Sequence, residues 1–291
     1  MIRQVRPRGK GAGIPAVMTV AGSDNSGGAG IEADLKTFTT LEVYGTAAIT
    51  CVVAENPREV RTIRSMSPAL VREQMELVFE VFPVAALKTG MLYSEAIIRA
   101  VVEVLTALPR RRRPQVVIDP VMVATSGALL LKRGAVRRLV ENLFPLAAVV
   151  TPNLDEAALL WGRPIRSEED AIRAGAELAS RWEVPFLVKG GHLKGKGAVD
   201  FLVSGADVLR LEADRIPHVQ THGTGCTYSA AITAGLARGL SLPEAVFRGK
   251  EFVTRAIAAA IPLGRFKALN HFPPRHEKER EPWGREGKEG A

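Results

Sequence analysis

The sequence predicts an α/β fold in which helices cover both faces of a mostly parallel sheet. Short runs of β-branched and aliphatic residues alternate with segments of helical periodicity along most of the chain, which is the pattern of successive βα units. Aromatic residues make up only 5% of the 291 residues, so the core must be mainly aliphatic. Such a core suits parallel strands, because both of their faces are buried.

The first third of the chain alternates between predicted strands and helices. In order, these are a strand over Ala16–Ala21, a helix over Ile31–Leu41, a strand over Tyr44–Val53 and a helix over Pro68–Phe82. In the first helix, Ile31, Leu35 and Phe38 recur at helical spacing and share one face. A glycine-rich turn separates the first strand from this helix, as expected for a βα unit.

Further strands are predicted in the rest of the chain, with helical segments between them. They cover Ala85–Lys88, Gln115–Asp119, Ala147–Thr151 and Phe186–Lys189. Two short runs, Ala198–Leu202 and Val208–Leu211, are close enough in sequence to pair as a hairpin. That hairpin would add an antiparallel edge to the parallel sheet.

The chain is predicted to form one domain between two polar ends. Residues 1–14 are rich in arginine and glycine and are expected to be a flexible arm. Residues 273–291 combine many charges with few aliphatic side chains, which predicts a disordered tail. No linker, low-complexity stretch or repeat divides residues 15–272, so we expect them to form a single domain.

The net charge of +8 does not by itself indicate a nucleic-acid-binding protein. Four basic residues, Arg3, Arg6, Arg8 and Lys10, lie in the N-terminal arm, and four more form the run 110–113, so these two clusters account for the excess. Neither cluster is interleaved with aromatic residues, and a solvated surface is therefore the expected role. We predict no nucleic-acid partner.

Cysteine usage and hydropathy favour a cytoplasmic protein. The two cysteines, Cys51 and Cys226, are too far apart in sequence to suggest a disulfide framework. No apolar run reaches transmembrane length, and the basic N-terminus is not followed by the apolar stretch of a secretory signal. We therefore expect no membrane partner.

Residues that follow the predicted strands are candidates for a binding site, because open α/β sheets bind ligands beyond the carboxyl ends of their strands. The first such segment, Gly22–Gly30, contains four glycines, two serines and an aspartate. Glycines permit close approach of the backbone to a ligand, and the helix start behind them favours anions or polar groups. The spacing fits neither a P-loop nor a dinucleotide fingerprint. The segment is either a tight structural turn or a binding loop, and its composition favours the binding loop.

A second glycine-rich segment, Thr221–Cys226, precedes a predicted helix of small apolar residues over Ser229–Leu236. At such a helix start, the backbone N–H groups of Gly223, Thr224 and Gly225 could hold a phosphate or stabilise developing negative charge. A glycine-rich helix cap explains the segment equally well. On its own, the segment does not decide between these two interpretations.

Polar residues also follow three later strands. Lys189, in the segment Lys189–His192, could neutralise phosphate charge or be an ordinary surface lysine. Asn153 and Glu156 have the spacing of a helix capping box, and the same pair could face hydrated Mg²⁺. Asp119 ends a buried strand, where a carboxylate is costly unless it is paired or hydrated, so it could belong to a metal site or be a simple cap.

Taken together, these segments resemble those of the hydroxymethylpyrimidine/phosphomethylpyrimidine kinase family, the thiamine-pathway branch of the ribokinase-like superfamily. The resemblance covers residues 16–263 in order. The matching segments are Gly22–Phe38, Lys88–Leu92, Asp119–Gly127, Thr151–Asn153, Lys189–His192 and Thr221–Cys226. An ordered set of this kind is far more specific than a single glycine motif.

The resemblance implies a three-layer α/β/α sandwich with a ribokinase-like fold and an enzyme that uses ATP and Mg²⁺. Family members phosphorylate 4-amino-5-hydroxymethyl-2-methylpyrimidine and then its monophosphate, which yields the diphosphate. Phosphoryl transfer would then occur at residues 221–226. By the same resemblance, the anion hole would be formed by Gly223, Thr224 and Gly225, beside Cys226. ATP would be contacted by Lys189, Asn153 and Thr224, and Mg²⁺ would be held through water by Glu156 and Asp119. The residues at the pyrimidine pocket would be Gly22, Asp34, Glu55, Met91 and Val121.

Two positions leave a role open within this resemblance. Many ribokinase-like kinases have an aspartate base where Cys226 stands; cysteine is usual in this branch, and a helix N-terminus would favour its thiolate. Alternatively, Cys226 only packs against the substrate. Glu55 stands where the family typically has glutamine, which pairs with the aminopyrimidine edge. An ionised carboxylate only accepts hydrogen bonds, whereas an amide donates and accepts.

Glu55 therefore leaves a second substrate class open, a pyridoxine- or pyridoxal-type alcohol whose phenolic OH could donate to a carboxylate. A third hypothesis is a non-catalytic sensor that binds the pyrimidine; the presence of both Lys189 and Gly225 argues against it. The segment Leu263–Asn270 also departs from the usual glycine- and histidine-rich stretch of the family. Because the superfamily often dimerises, a homodimer is an expectation that no sequence feature supports directly.

Overall fold

One nine-stranded sheet organises the protein in a computed structural model that describes residues 13–56, 58–122, 133–191, 193, 197–217 and 222–272. Its strands, in chain order, are β1 (Ala16–Asp24), β2 (Tyr44–Asn56), β3 (Glu59–Ser65), β4 (Val84–Thr89), β5 (Gln115–Ile118), β6 (Val149–Val150), β7 (Phe186–Gly190), β8 (Gly197–Ser204) and β9 (Asp207–Asp214). Across the sheet the order is β3-β2-β1-β4-β5-β6-β7-β8-β9. The six central strands, in the order β2-β1-β4-β5-β6-β7, run parallel to one another. At one edge β3 pairs antiparallel with β2, and at the other edge β8 pairs antiparallel with β7.

Helices cover both faces of this sheet, which confirms the predicted three-layer α/β/α fold. The helices are α1 (Gly30–Thr40), α2 (Pro68–Val81), α3 (Glu95–Ala107), α4 (Arg133–Arg138), α5 (Leu154–Trp161), α6 (Glu168–Trp182), α7 (Thr224–Ala237) and α8 (Leu242–Ala258). α4 continues into a π-helical turn over Leu139–Leu143, and short 3₁₀ turns cover Arg110–Arg112 and Phe144–Leu146. α1, α7 and α8 pack on one face of the sheet and α2 to α6 on the other.

The core is built from the two faces of the parallel strands. Side chains that alternate along β1, β4, β5 and β7 enter opposite layers of packing. Those on the face of α1, α7 and α8 include Val17, Ala86, Val117 and Leu187, and those on the opposite face include Met18, Leu87, Ile118 and Val188. All eight are fully buried, which explains why these strands read as continuous aliphatic runs in the sequence.

The predicted strands and helices correspond to observed elements, with shifts at their ends. β1 and β2 each extend three residues beyond their predicted carboxyl ends, and the helix predicted over Ser229–Leu236 begins five residues earlier, at Thr224. The predicted hairpin forms β8 and β9 and supplies the antiparallel edge. The strand extensions, residues 22–24 and 54–56, were missed because five of these six residues are polar or glycine.

The sequence did not predict β3, which pairs with β2 at the opposite edge of the sheet. Six of its seven residues are exposed, so it lacks the apolar run or alternation by which strands are predicted. A small hairpin of β10 (Ile261–Leu263) and β11 (Phe266–Ala268) was also missed, and it lies in the segment that departs from the family pattern. The guanidinium of Arg58, in the turn between β2 and β3, lies 5.0 Å from the ring centre of Phe266.

The last described residues return to the helices on one face. His271 is buried, its Nε2 lies 3.0 Å from Thr227 Oγ1 in α7, and its carbonyl oxygen accepts a hydrogen bond from Thr40 Oγ1 in α1. Burial lowers the pKa of His271 to about 4, and the nearby ammonium of Lys36 adds to the effect. The predicted arm (1–14) lies outside the described residues except for residues 13 and 14, and the predicted tail (273–291) lies outside them entirely.

Candidate active site

Polar residues gather where β1, β4, β5 and β7 end, and α7 begins against the same edge of the sheet. Asp24 ends β1 and organises the loop that follows. Its carboxylate accepts hydrogen bonds from Ser26 N–H (2.7 Å), Ser26 Oγ (3.0 Å) and Ala29 N–H (2.8 Å). His222 Nε2 lies 2.9 Å from the same carboxylate. Although burial opposes it, these hydrogen bonds, that of His222 first, hold the pKa of Asp24 well below its usual range.

Glycine is required at one position in the turn before α7, where it touches the loop after β1, and at one position within that loop. Gly223 is the N-cap of α7 with φ of +81°, and a Cβ atom there would overlap the carbonyl oxygen of Gly28. Gly30 begins α1 with φ of +58°, and a Cβ there would overlap the carbonyl oxygen of Gly22. These positions require glycine for both conformation and space. The predicted binding loop and the predicted anion hole thus form one continuous surface.

The first turn of α7 faces a charged cluster at the end of β5 and β7. A Cβ atom on Gly225 would lie 3.3 Å from Lys189 Nζ and 3.5 Å from Asp119 Oδ2. Lys189 Nζ lies 3.1 Å from Asp119 Oδ1, and Ser229 Oγ donates to Asp119 Oδ2. The backbone N–H groups at the start of a helix have no partners within the helix. An anion beside Gly225 could therefore accept hydrogen bonds from the N–H groups that begin α7 and also interact with the ammonium of Lys189.

Glu156 is the second acid of this cluster and forms the predicted capping box with Asn153. Asn153 Oδ1 accepts from Glu156 N–H, and Glu156 Oε2 accepts from Asn153 N–H, each at 2.9 Å. Glu156 Oε1 also accepts from Met122 N–H at 3.0 Å. Burial raises the pKa of Glu156 to about 7; the charge of Lys189 opposes this rise and that of Asp119 adds to it. The capping interpretation is therefore confirmed, and a metal role would be additional.

The Lys189 cluster has the donors that a divalent cation and phosphates require. It combines one cation with the carboxylates of Asp119 and Glu156, so it carries net negative charge when both acids are ionised. Although burial opposes it, Asp119 and then Glu156 raise the pKa of Lys189, so the lysine stays charged. Mg²⁺ binds carboxylate oxygens and water, and the residues present therefore fit Mg²⁺ beside a polyphosphate.

Cys226 lies in the first turn of α7, but its surroundings do not favour a thiolate. Burial raises the pKa of the Cys226 thiol to about 11, although the charge of Lys88 and a hydrogen bond from Gly30 N–H act in the opposite direction. The expectation that the helix N-terminus would favour the thiolate is wrong, because burial outweighs the charge of Lys88 and the hydrogen bond from Gly30 N–H. At neutral pH the thiol keeps its proton.

Asp34 does not line the pocket, contrary to the expectation from the family resemblance. Its side chain is fully buried beneath the site, where it accepts hydrogen bonds from Lys88 Nζ (2.7 and 2.8 Å) and Thr19 Oγ1 (2.6 Å). Burial raises the pKa of Asp34 in spite of the lysine, and Asp34 raises the pKa of Lys88 in spite of burial. A carboxylate with no exposed surface cannot touch a ligand directly, so its role is to hold Lys88.

Lys88 is the functional candidate that sequence reasoning missed. It lies at the end of β4 with no exposed surface, and its charge acts on Cys226 and on Asp119. The available signal was a lysine inside the apolar run Val84–Thr89, since a lysine in a buried strand needs a counter-charge. In the sequence, the segment Lys88–Leu92 contributes to the family resemblance, but that resemblance implies no role for Lys88 itself.

Glu55 is half-buried near the end of β2, on the other side of the Gly22–Gly30 loop. Its backbone N–H donates to Asn25 Oδ1 at 2.7 Å. A side-chain oxygen or nitrogen from each of Glu55, Asp24 and His222 lies within 4.8 Å of those of the other two. Burial raises the pKa of Glu55, Asp24 and Glu32 add to the rise, and His222 opposes it. Hydrogen bonding to Asp24 raises the pKa of His222.

The other expected pocket residues lie close to this region. Gly22 is buried and faces Cys51, whose Sγ would lie 2.8 Å from a Cβ on the glycine, with Met91 Cβ at 3.9 Å. The carbonyl oxygen of Met91 accepts a hydrogen bond from Thr50 Oγ1. Val121 follows β5 with φ of +42°, which is unusual for a β-branched residue. Contact of Gly22, Met91 and Val121 with a substrate stays a prediction.

Parts of the predicted motifs lie outside the described residues. These are Thr221, His192 and the segment Val123–Gly127. Both cysteines are free, as expected. Among the helices that the structure describes, none is long and apolar enough to cross a membrane.

A family model described as phosphomethylpyrimidine kinase matches residues 24–271 of the chain. The chain belongs to the phosphomethylpyrimidine kinase family. It is 49% identical over 259 residues to the hydroxymethylpyrimidine/phosphomethylpyrimidine kinase of Rhizobium meliloti, with 88% of this chain and 96% of that protein covered. It is 48% identical over 261 residues to a bifunctional thiamine biosynthesis protein of Geobacter sulfurreducens. That match covers 90% of this chain and 52% of the relative, so the chain spans about half of the relative's length.

Solved structures with the same fold include relatives of a second specificity. The pyridoxal kinase of Staphylococcus aureus, solved in complex with AMP-PCP and pyridoxal, is 34% identical with a TM-score of 0.81, covering 90% of this chain and 95% of that protein. This similarity confirms the ribokinase-like architecture of the phosphomethylpyrimidine kinase family in this chain. Membership also makes the chain a kinase.

Proposed function

We propose that this protein transfers phosphoryl groups from ATP to 4-amino-5-hydroxymethyl-2-methylpyrimidine and then to its monophosphate. The observation that carries the proposal is the position of Gly225, whose α-carbon at the start of α7 faces both Lys189 and Asp119. Helix-start donors, a charged lysine and a carboxylate thereby converge at the end of the parallel strands. The names of the Rhizobium meliloti relative and of the matching family model support the choice of substrate.

Phosphoryl transfer needs positioning and charge neutralisation more than covalent participation by the protein. In the proposed reaction, Lys189 and the first turn of α7 bind and orient phosphate oxygens. Mg²⁺ held near Asp119 and Glu156 would neutralise part of the phosphate charge. AMP-PCP in the Staphylococcus aureus structure supports ATP as the donor. Asn153 and Thr224 remain candidates for contacts to the nucleotide.

Cys226 is assigned the role of a protonated neighbour of the substrate hydroxyl. Its thiol can accept or donate a weak hydrogen bond while it stays neutral. Because the phosphoryl-transfer transition state is largely dissociative in most analyses, the hydroxyl can keep its proton until its oxygen bonds to phosphorus and then pass that proton to an oxygen of the transferred phosphoryl group. The charge of Lys88, which is buried beside Cys226, would stabilise the negative charge on the reacting oxygens. This assignment replaces the expected thiolate base.

A direct assay tests the proposed function. The purified full chain is incubated with ATP, Mg²⁺ and hydroxymethylpyrimidine, and products are followed by chromatography and mass spectrometry. Monophosphate followed by diphosphate is expected. Lys189→Met should lower kcat/KM by about 100-fold or more through lost transition-state charge stabilisation, whereas Lys267→Met, which removes an exposed lysine in β11, should leave it unchanged. Absence of both products would reject the proposal, and tight binding without turnover would indicate a sensor.

A pyridoxine- or pyridoxal-type alcohol is the alternative substrate class. It is favoured by the similarity to Staphylococcus aureus pyridoxal kinase and by the carboxyl group of Glu55. A comparison of kcat/KM for the two alcohols under identical conditions decides between them. We expect the aminopyrimidine to be preferred; a preference for pyridoxal would reverse the assignment. The cytoplasmic location and the homodimeric state stay predictions, and the latter is tested by light scattering.

A further inference from the structure

Glu55 and Asp24 lie close to the imidazole of His222, and the charge of a third acid, Glu32, also acts on Glu55. Asp24 comes from β1, Glu32 from the first turn of α1, Glu55 from β2, and His222 precedes α7. Cys51, also on β2, is the remaining titratable group coupled to Glu55, and its thiol is buried with a raised pKa caused first by that burial. Four separate elements therefore place their titratable groups around the wall of the candidate site.

The hydrogen bonds within this group are unevenly distributed. Asp24 accepts from Ser26 and Ala29 and is paired with His222. Glu32 accepts from Ser23 Oγ at 2.6 Å and from Asp24 N–H at 2.8 Å. Within the part of the chain that the structure describes, no donor to the Glu55 carboxylate is found. Among the described residues, the carboxylates of Asp24 and Glu32 thus each accept hydrogen bonds within the fold, and that of Glu55 does not.

The short distance between the carboxylates of Asp24 and Glu55 adds electrostatic repulsion to the absence of hydrogen-bond donors for Glu55. The carboxylates of Asp24 and Glu55 approach within 4.8 Å, and His222 can supply only one positive charge between them. Two like charges at this distance favour protonation of one acid, and the one with fewer hydrogen bonds takes the proton. Burial and the charge of Asp24 raise the pKa of Glu55 accordingly. Of Asp24 and Glu55, Glu55 therefore accepts a proton more readily.

We propose that Glu55 meets the substrate as a neutral carboxylic acid and reads an amidine edge, a ring nitrogen next to an amino group. A neutral carboxyl donates through its O–H and accepts through its C=O, which is the pattern of a primary amide. The O–H would donate to the ring nitrogen, and the C=O would accept from the amino group. This assignment rests on the proposed function and adds to it the protonation state in which Glu55 binds the substrate.

A neutral Glu55 can replace the glutamine that the family typically has at this position without a change of substrate. An ionised Glu55 would only accept hydrogen bonds and would require a protonated ring to pair with. A neutral Glu55 requires no change in the ring. His222 and Asp24 act as positioning residues, because their ion pair sets the charge that Glu55 experiences. The turn that forms the anion hole is in this way linked to the residue that reads the ring.

Infrared difference spectroscopy of substrate binding is the deciding experiment. The full chain is mixed with the hydroxymethylpyrimidine alone, in wild type and in Glu55→Gln, near neutral pH. The complex should show the carbonyl band of a protonated carboxylic acid that is missing in Glu55→Gln, with the ultraviolet spectrum of a neutral pyrimidine. Carboxylate bands together with a protonated pyrimidine spectrum would overturn the proposal. The wild-type spectrum decides even if the variant folds poorly.

Kinetics provide an independent measurement. Above the pKa of Glu55, kcat/KM of the wild type should fall by about tenfold per pH unit, as for a single ionisation, and Glu55→Gln should lack this fall. His222→Gln removes a positive charge, so the fall should move to higher pH. Glu59→Gln, which alters an exposed acid on β3, is the control that should keep the wild-type profile. A profile that is the same in Glu55→Gln, or that moves to lower pH in His222→Gln, would contradict the proposal.

These outcomes separate the two proposals. If neither wild type nor Glu55→Gln phosphorylates the pyrimidine at any pH, the proposed function fails. If the wild type turns it over but shows neither the acid band nor the pH dependence, only the assignment of Glu55 fails.

Discussion

The backbone of Gly223 packs against the carbonyl oxygen of Gly28, so the turn before α7 touches the loop after β1 with no side chain between them. This contact joins the candidate anion hole to the Gly22–Gly30 loop. His222 and Asp24 form an ion pair next to the same contact. A shift of either segment would therefore displace the other.

Gly223→Ala should displace the first turn of α7. The added methyl group overlaps the Gly28 carbonyl and also meets an unfavourable φ. We expect kcat/KM to fall on the order of 100-fold, comparable to the loss of an oxyanion-hole donor. Gly239→Ala is the matched control, because Gly239 has φ of +87° and no atom within 4 Å of a Cβ. If both variants lose activity equally, backbone strain and not the contact with Gly28 is responsible.

Removal of Asp34 should destabilise the protein strongly. Asp34→Leu leaves the ammonium of Lys88 buried without a counter-charge, which costs about 3–5 kcal/mol of unfolding free energy. The double variant Asp34→Leu/Lys88→Met should recover most of that loss, since it removes both charges. Urea unfolding monitored by circular dichroism measures each value.

An exposed ion pair is the control for this experiment. Glu168 and Arg210 are both more than a third exposed, and Glu168→Gln should cost less than about 1 kcal/mol. A loss in Asp34→Leu as small as that of the exposed pair would mean that Lys88 is not held by Asp34. Recovery of stability without recovery of activity in the double variant is expected if Lys88 serves catalysis.

Cys226 should react slowly with thiol reagents at neutral pH. Its pKa of about 11 predicts an iodoacetamide rate that rises steadily from pH 7 to pH 10, because only the thiolate reacts. Cys226→Ser should lower kcat by less than about tenfold, whereas loss of a general base typically costs about 10²–10⁴-fold. Peptide mapping distinguishes Cys226 from Cys51. Rapid alkylation at pH 7 would contradict a protonated thiol.

Stability should decrease between pH 7 and pH 5 because of His271. Its folded pKa of about 4 lies below the ordinary value of 6.5, so the unfolded chain binds a proton first as the pH falls. The stabilisation is therefore complete above about pH 6.5 and is lost as the pH falls towards 4. We expect the wild type to lose about 2 kcal/mol more than His271→Gln over this change. Urea unfolding at both pH values tests the difference, and equal losses would reject the assignment.

Elements controlled by nearby residues were predictable from the sequence. The parallel strands are continuous aliphatic runs because both faces are buried, and the capping box of Asn153 and Glu156 depends on a spacing of three residues. β3 was not predictable, because its exposed residues carry no apolar pattern. It pairs with the carboxyl-terminal half of β2, from Cys51 to Asn56. Its pairing is set by its neighbour and not by its own composition.

The sequence by itself determined the α/β architecture, the glycine segments at the strand ends and the family to which they belong. Only the tertiary structure decided the charge states within the site. Asp34 reaches Lys88 across 54 positions and His222 reaches Asp24 across 198, and neither pairing has a local signal. The raised pKa values of Cys226 and Glu55 follow from burial and from like charges brought together by packing. Desolvation and long-range charge are properties of the folded protein, so the sequence identified Cys226 and Glu55 but not their chemical state, and it did not identify Lys88.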